Sequence, residues 1–428
     1  MAIPEPGSGL AIQDIPGHMR RSLLNPVLLL SLLHAYVGLR LLMPLPIGIA
    51  GRTIGAALLL ASAVLIPWSL RHGTRAERRG LAQAATWAGL IATGLFSTLL
   101  VSTLLRDVLL LGAHLILPAR LYAPLPVRSA LAVIYFSLVA TAMGLLMARG
   151  RPRVVDVDVP VLHLPRALHG FLIAQISDVH VGSTIKRGFV ESIVEVVNRL
   201  KADVIALTGD VVDGPVQQLA AHTAPLARLS ARHGAFFVTG NHEYYSGEGP
   251  WSREMSRLGL RVLKNEHVVL AHDGASVVLA GVDDFGAQYF DPAQRSDPAA
   301  ALQGAPADAG ARILLAHQPK SASAAAAAGF DLQISGHTHG GQFWPWNLLV
   351  RYFQPFTGGL HRLKNLWVYV SRGTGYWGPP TRFGVPPEIT LLRLVPTELV
   401  PSGLARAGLA RAGLARAGLA RADLGAAG

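Results

Sequence analysis

Between residues 22 and 148 lie four stretches without a charged side chain, each near the length of a membrane crossing, and they limit every other reading of the chain. Residues 81–105 run 25 positions without Asp, Glu, Lys or Arg, 129–148 run 20, and 53–70 and 22–39 run 18 each. Crossing a hydrocarbon core of about 30 Å takes about 20 apolar residues as a helix. Four spans are therefore expected, the first weakest because it contains His34 and ends at Arg40. A further stretch, 108–119, is only 12 residues long after Arg106-Asp107, which suits a re-entrant or interfacial piece. The whole chain is 15% charged, against about 25% for soluble domains.

The net charge of +12 is unevenly placed. Residues 1–153 carry 14 Arg against 4 acids (+10), 154–402 carry 20 bases against 21 acids (−1), and 403–428 carry 4 Arg against 1 Asp (+3). Positive charge flanks the apolar stretches, as membrane topology requires, and no nucleic-acid partner is expected. On a four-span reading, Arg20, Arg21, Arg71, Arg75, Arg78, Arg79, Arg149, Arg151 and Arg153 fall on one side of the membrane. Arg40, Arg52, Arg106, Arg120 and Arg128 fall on the other. The richer side should be cytoplasmic, which places the region after the fourth span in the cytoplasm of a multi-pass inner-membrane protein. Against this stands Arg20-Arg21-Ser22-Leu23-Leu24, which loosely mimics an export signal. With no cysteine in the chain, disulfides, iron–sulfur clusters and a thiolate nucleophile are excluded.

The organisation is therefore a membrane region at 1–153, a mixed domain at 154–402 and a tail at 403–428. In the mixed domain, short β-rich runs at 171–176, 204–208, 235–239, 277–281, 313–316, 331–334 and 366–370 alternate with helical patterns. Those patterns lie at about 187–200, 215–230, 251–258 and 318–328, and the alternation implies a layered α/β domain. Gly403–Ala422 is four copies of Gly-Leu-Ala-Arg-Ala. A five-residue period turns about 500° on a helix, so no face gathers its leucines or arginines, and the tail reads as a cationic low-complexity extension.

Chemistry gathers where the strands end. The runs lead into Ser177-Asp178-Val179-His180, Gly209-Asp210-Val211-Val212-Asp213-Gly214, Gly240-Asn241-His242-Glu243, His317, and Gly336-His337-Thr338-His339-Gly340-Gly341. Aspartate, asparagine and histidine donors without sulfur suit hard or borderline divalent ions such as Mn, Fe, Zn or Mg. A single carboxylate between two such ions could hold them about 3.5–4 Å apart. Each block alone is weak, but all occur in order, each after a strand, where sites of open α/β sheets lie. Asp283-Asp284 reads as a turn, and the remaining histidines fit no ligand spacing.

Over residues 170–395 these blocks resemble the calcineurin-like metallophosphoesterases. The chain is most similar to membrane-anchored bacterial members with a Gly-His-Thr-His-Gly-Gly-Gln block. They share the late segments matched by Ser371-Arg372-Gly373-Thr374-Gly375-Tyr376-Trp377 and Pro386-Pro387-Glu388-Ile389. The resemblance implies a four-layer αββα sandwich of two mixed sheets, following an all-α membrane region. It implies two divalent metal ions, one held by Asp178, His180 and His339, the other by Asn241, His317 and His337, with Asp210 bridging. His242 would face the phosphate and stabilise or protonate the leaving group while a hydroxide between the ions attacks phosphorus. Asp213 and Glu243 would orient ligands, and Arg372 and Tyr376 are candidates for substrate contact.

The substrate expected is a phosphoester, and two features favour a lipid or other amphiphile: the membrane anchor and Phe343-Trp344-Pro345-Trp346 with the apolar residues that follow. That loop either packs on the domain's own core or dips toward the bilayer. A transporter or scaffold with a regulatory phosphoesterase-like domain is the alternative, disfavoured because the spans hold few ionisable residues.

Overall fold

The computed structural model describes residues 26–72 and 80–397. The C-terminal repeats, Arg20, Arg21, Arg75, Arg78 and Arg79 lie outside the described residues. Five helices come first: α1 (Pro26–Leu42), α2 (Gly48–His72), α3 (Leu81–Ile116), the single turn α4 (Ala119–Tyr122) and α5 (Leu125–Arg149). Three segments, Gly48–Arg71, Leu81–Ile116 and Ala119–Arg149, are long and apolar enough to cross a membrane. The remaining expected span, α1, has 17 described residues, about 25 Å. Val37, Leu41, Ile66, Phe96 and Val133 pack inside the bundle, while Leu58, Leu60, Leu109, Leu115 and Ile116 stay exposed. Helices apolar on every side belong in lipid.

One expectation is corrected here. Residues 108–116 are not a separate re-entrant piece but the continuation of α3, which runs 36 residues, about 54 Å. The helix passes through Arg106-Asp107 unbroken because the pair is neutralised in place. Asp107 accepts from Tyr36 Oη at 2.7 Å, Arg40 Nε at 2.6 Å and Arg106 Nη1 at 2.9 Å. Arg106, itself buried, also donates to Ser129 Oγ and Pro126 O.

After α5 the chain forms two six-stranded sheets. The first has β1 (Arg153–Val161), β2 (Leu172–Ile176), β3 (Val204–Thr208), β4 (Ala235–Val238), β5 (Arg261–Val262) and β12 (Glu388–Pro396), in the order β1-β12-β2-β3-β4-β5. The second has β6 (Glu266–His272), β7 (Ala275–Gly281), β8 (Ala311–Leu315), β9 (Leu332–Ser335), β10 (Gly359–Leu363) and β11 (Leu366–Val370), in the order β10-β11-β9-β8-β7-β6. Both sheets are mixed: β2, β3 and β4 pair in parallel, β12 pairs antiparallel to β2, and β7, β8 and β9 are parallel beside antiparallel β6.

The side-chain period of two explains why these strands are apolar at every position. In β3, Val204 and Ala206 enter the core between the sheets. Ile205 and Leu207 face the other way, toward α6 (Arg187–Leu200), α7 (Val216–Thr223) and α9 (Glu248–Arg257), the last preceded by the short α8 (Asn241–Ser246). On the far side of the second sheet, Leu314, Val368 and Val370 pack with α10 (Pro298–Ala301) and α11 (Ala322–Ala328). The result is the four-layer αββα sandwich, with the ends of β2, β3, β4, β8 and β9 converging on one edge. The amphipathic α6 occupies the residues that its pattern predicts. The last helix, α12 (Trp346–Leu349), lies in the apolar loop after β9.

Candidate metal centre

Six of the seven residues of the expected ligand set converge where the strands end, and the seventh, Asn241, lies next to His242 in α8. Asp178, His180 and His339 bring ligand atoms within 4.8 Å of one another, and so do Asp210, His317 and His337. In the first group, His339 Nε2 lies 3.4 Å from Asp178 Oδ1 and 3.0 Å from His180 Nε2. In the second, His317 Nε2 lies 3.1 Å from Asp210 Oδ2, the same oxygen that lies 3.9 Å from His180 Nε2. Asp210 is thus within reach of both groups. Asn241 has its Oδ1 buried and without a hydrogen-bond partner. Buried acceptors left open in this way are costly unless something binds them. An orphaned amide oxygen amid carboxylates and imidazoles fits a divalent cation.

Backbone conformation makes the same point. Asp178, His180, Asp210, His337 and His339 all have φ between 51° and 70°, in the left-handed region that non-glycine residues seldom occupy. Such strain persists only where the surroundings over-determine it. Here the fixing bonds are visible: Asp178 N donates to Gly209 O, His180 N to Asp210 O, and His337 N to the Asp178 carboxylate. At Gly336 any side chain would collide with Ser177 Oγ and Asp178 Oδ2, so the close approach of the two loops needs glycine there.

A surrounding set of carboxylates orients the rings. Asp213 Oδ1 accepts from Nδ1 of both His180, at 2.8 Å, and His242, at 2.7 Å, leaving each Nε2 turned toward the pocket. Glu243, fully buried, accepts the backbone N–H groups of Gly240, Asp210 and Val211, tying α8 to the loop that carries Asp210. Asp284 accepts from Gly286 N, as a turn residue does, and also from Gln318 beside His317. Asp283 is held by Tyr244 and Asn265. The pair forms a turn, but a buried one, with Asp284 close enough to help raise the pKa of His317.

The electrostatics separate the histidines. Burial would depress His242, but the carboxylates of Asp210 and Asp213 outweigh it and raise its pKa to about 9. Burial, reinforced by neighbouring His317, lowers His337 to about 3, so its ring is neutral, as a ligand must be. Burial likewise lowers His339. Burial works against the ionised form of Asp213, yet the two imidazoles that it holds bring it down to about 2. His242 Nε2 lies 4.0 Å from Asp210 Oδ2 and forms a possible ligand group with His180 and Asp210, a proximity that the sequence spacing did not reveal.

The two candidate substrate contacts are both engaged by the fold, Arg372 beside Gly340. Tyr376 is buried in the core between the first sheet and its helices, with its hydroxyl on Thr184. It does not line the pocket. Arg372 is engaged by buried Glu388, through Nη1 to Oε2 at 3.0 Å and through its backbone N–H. The neighbouring Trp377 is the aromatic that meets the site: it is half exposed and its ring lies 5.8 Å from that of His242, edge to face. Gln342 fixes it there, accepting from Trp377 N and donating to Trp377 O and Pro379 O. The apolar loop divides: Phe343 is buried and Phe356 packs on the core of the second sheet, while its middle meets the helices. Trp344 packs on Phe136 of α5, Trp346 Nε1 donates to Ser97 of α3, and Leu348, Tyr352 and Phe353 remain exposed. Sequence reasoning also missed Arg382, fully buried beside His339. A single arginine in a Pro-Pro-Thr-Arg loop carries no signal that separates it from a surface residue.

Known proteins share this arrangement. The family profile described as calcineurin-like phosphoesterase matches residues 171–341. A Bos taurus protein named transmembrane protein with metallophosphoesterase domain is 40% identical over 281 residues, 63% of this chain and 63% of that protein. Its namesake in Danio rerio is 37% identical over 272 residues, 61% of this chain and 62% of that one. The chain thus spans somewhat less than two thirds of the length of these relatives. An uncharacterized metallophosphoesterase of Aquifex aeolicus is 33% identical over 220 residues, 51% of this chain but 82% of its own length. With most of such a relative covered, the chain belongs to the calcineurin-like metallophosphoesterases, a family of phosphoester hydrolases.

Proposed function

We propose that the protein is a membrane-anchored phosphoesterase that works with two divalent cations on a phosphoester whose remaining part is apolar, such as a lipid. One observation carries the substrate reading: the wall from His242 over Trp377 to Pro379 is continuous with the surface where the apolar loop meets α3 and α5. Pro379 lies against Gly94 of α3, two residues beyond Trp377. A phosphate at the ligand groups would leave its apolar body on Trp377 and half-exposed Tyr245, the other aromatic ring beside His242.

Asp178, His180 and His339 would hold one cation, Asn241, His317 and His337 the other, with Asp210 common to both. Cations there supply Lewis-acid stabilisation of phosphoryl oxygens and a more acidic water. The remaining chemistry falls to the chain. Asp213 keeps His242 charged and aimed, and the Nε2 proton passes to the leaving oxygen as its bond to phosphorus breaks. Glu243 holds the Asp210 loop, and the carboxylate–imidazole contacts keep the ligands in place before substrate arrives. On the four-span reading, the arginine distribution favours a cytoplasmic catalytic domain. A reporter active only outside the cytoplasm, fused after Gly428, should then be silent.

The direct test is to incubate the purified protein, with and without Mn²⁺, with a membrane lipid extract and with a soluble nucleotide monoester. Metal-dependent loss of a phospholipid species is expected. Turnover of the nucleotide alone would remove the lipid reading while keeping the hydrolase.

A further inference from the structure

Arg382 is completely buried, yet no carboxylate contacts it. Its Nε donates to Gly375 O at 2.9 Å, and its Nη1 donates to Arg372 O at 2.6 Å and His339 O at 3.2 Å. Nη2 donates to Gly375 O as well and abuts His339 Nδ1 at 3.1 Å, on the side of the ring away from Asp178. One guanidinium therefore ties three backbone carbonyls together, including that of His339, whose φ of 51° needs outside support. A planar fork with five donors can do this, and an ammonium cannot.

The segment that carries Arg382 is gripped in turn by the helices. Arg382 N donates to Gly144 O in α5 at 3.0 Å. A Cβ at Gly144 would collide with Thr381 Oγ1 and come within 3.2 Å of Phe383 Cβ. At Gly94 of α3, a Cβ would sit 3.1 Å from Thr381 Cγ2. Phe136 of α5 meets the Phe383 ring edge to face at 6.0 Å. A chain of direct contacts thus runs from α3 and α5 through residues 379–383 to His339.

We propose that Arg382 is the positioning residue for His339, and that segment 379–383 makes cation binding at Asp178, His180 and His339 depend on the packing of α3 against α5. This rests on the reading of His339 as a ligand. Groups that orient a metal ligand from behind typically contribute about 10–100-fold in affinity.

The test is titration of the metal-free, full-length protein in detergent with Mn²⁺, read as the number of bound ions and their affinities. Wild type should bind two ions. Arg382→Met should weaken one of them by about 10–100-fold and leave the other unchanged. Because that variant could fail to fold, Gly144→Ala tests the same link from the membrane side and should weaken the same ion. Adding Thr381→Ala, which removes the colliding oxygen, should restore it. Gly89→Ala is the control: its new carbon meets Leu65 O and Ser69 of α2, not residues 379–383, and both ions should keep their affinity. Wild-type affinities in Gly144→Ala and in any Arg382→Met that folds would overturn the proposal. So would equal weakening in Gly89→Ala, which would reveal general loosening of the bundle. A wild-type protein that binds one ion would instead overturn the ligand reading beneath it.

Discussion

In the helical bundle Asp107 accepts from Tyr36, Arg40 and Arg106, and Arg106 spends its remaining donors on Ser129 and Pro126. At the strand ends Asp178 and Asp210 also sit buried among potential cations. There Asn241 Oδ1 has no hydrogen-bond partner, and five ligand-bearing residues hold left-handed backbones. Both clusters are built from acids and bases in apolar surroundings. The bundle cluster is closed, since its carboxylate is matched by more donors than it needs and its helix is regular. The other is open, strained and held by outside groups such as Asp213, Glu243 and Arg382. A closed cluster explains how a charge survives in a helix bundle; an open one calls for a ligand.

The sharpest break between the two is at Asp210. Asp210→Asn removes the carboxylate common to both ligand groups, so bound metal should fall from two ions and hydrolysis should drop to background. Elemental analysis of the purified variant beside its activity checks this; two ions retained would dissolve the dinuclear reading. Next comes His242→Ala, expected to keep both ions and lower kcat by about 10²–10⁴-fold, the usual size of general-acid assistance. The loss should shrink for nitrophenyl esters, whose leaving group needs little protonation. Equal losses for good and poor leaving groups would assign His242 to phosphate positioning.

The open cluster was the more legible of the two in the sequence. Its expected ligands follow β-rich runs at fixed places, because a strand end between sheets is where short motifs meet in space, and six of the seven meet in two groups. The apolar stretches gave the long helices for an equally physical reason, length against bilayer thickness. What was hidden depends on neighbours distant in the chain. The helix could not be followed past Arg106-Asp107 because Arg40 and Tyr36, which neutralise the acid, lie about 70 residues away. Edge strand β1 alternates valine with aspartate and becomes a strand through its register with β12, from Arg153 opposite Glu388 to Val161 opposite Pro396. Tyr376 and Trp377 are adjacent aromatics, and only the turn pinned by Gln342 decides which enters the core and which meets the site.

A third expectation uses the pH dependence of the metal-free protein. The His242 pKa of about 9 in the fold lies above the ordinary histidine value of about 6.5. The proton is therefore bound more tightly in the folded state. Its stabilisation is fully present below about pH 6.5 and is lost as pH rises through about 9, in total about 3 kcal/mol at 1.36 kcal/mol per unit. Urea unfolding of chelator-treated protein between pH 6 and pH 9 should show this slope, and His242→Ala should reduce it, leaving the part due to Glu243, which burial and Asp210 raise to about 7, and to His317. Divalent cations beside Asp210 oppose the proton, so metal should flatten the slope as well. A slope of equal size in the variant would place the titration on another group.

The smallest effect on turnover is expected from Asp107→Asn, which opens the closed cluster. Asparagine keeps the size and one carbonyl acceptor but removes the charge that faces Arg40 and Arg106. Arg106 is buried and would keep only Ser129 Oγ and Pro126 O as full acceptors. Uncompensated buried charge costs about 3–5 kcal/mol when one partner of an ion pair is deleted. Here the cost is discounted, because Arg40 is about half exposed and Asp107 partly so. A loss of about 1–2 kcal/mol in bundle stability is expected, seen as a lower thermal midpoint in detergent. The pair lies on α3 beyond the region around Gly94 and Ser97 that meets the sandwich. Bound metal should therefore be unchanged and kcat should hold within about twofold, a change of less than about 0.5 kcal/mol in the barrier. A tenfold fall in kcat with both ions in place would mean that the bundle cluster acts on the reaction, and the division between a closed structural cluster and an open functional one would fail.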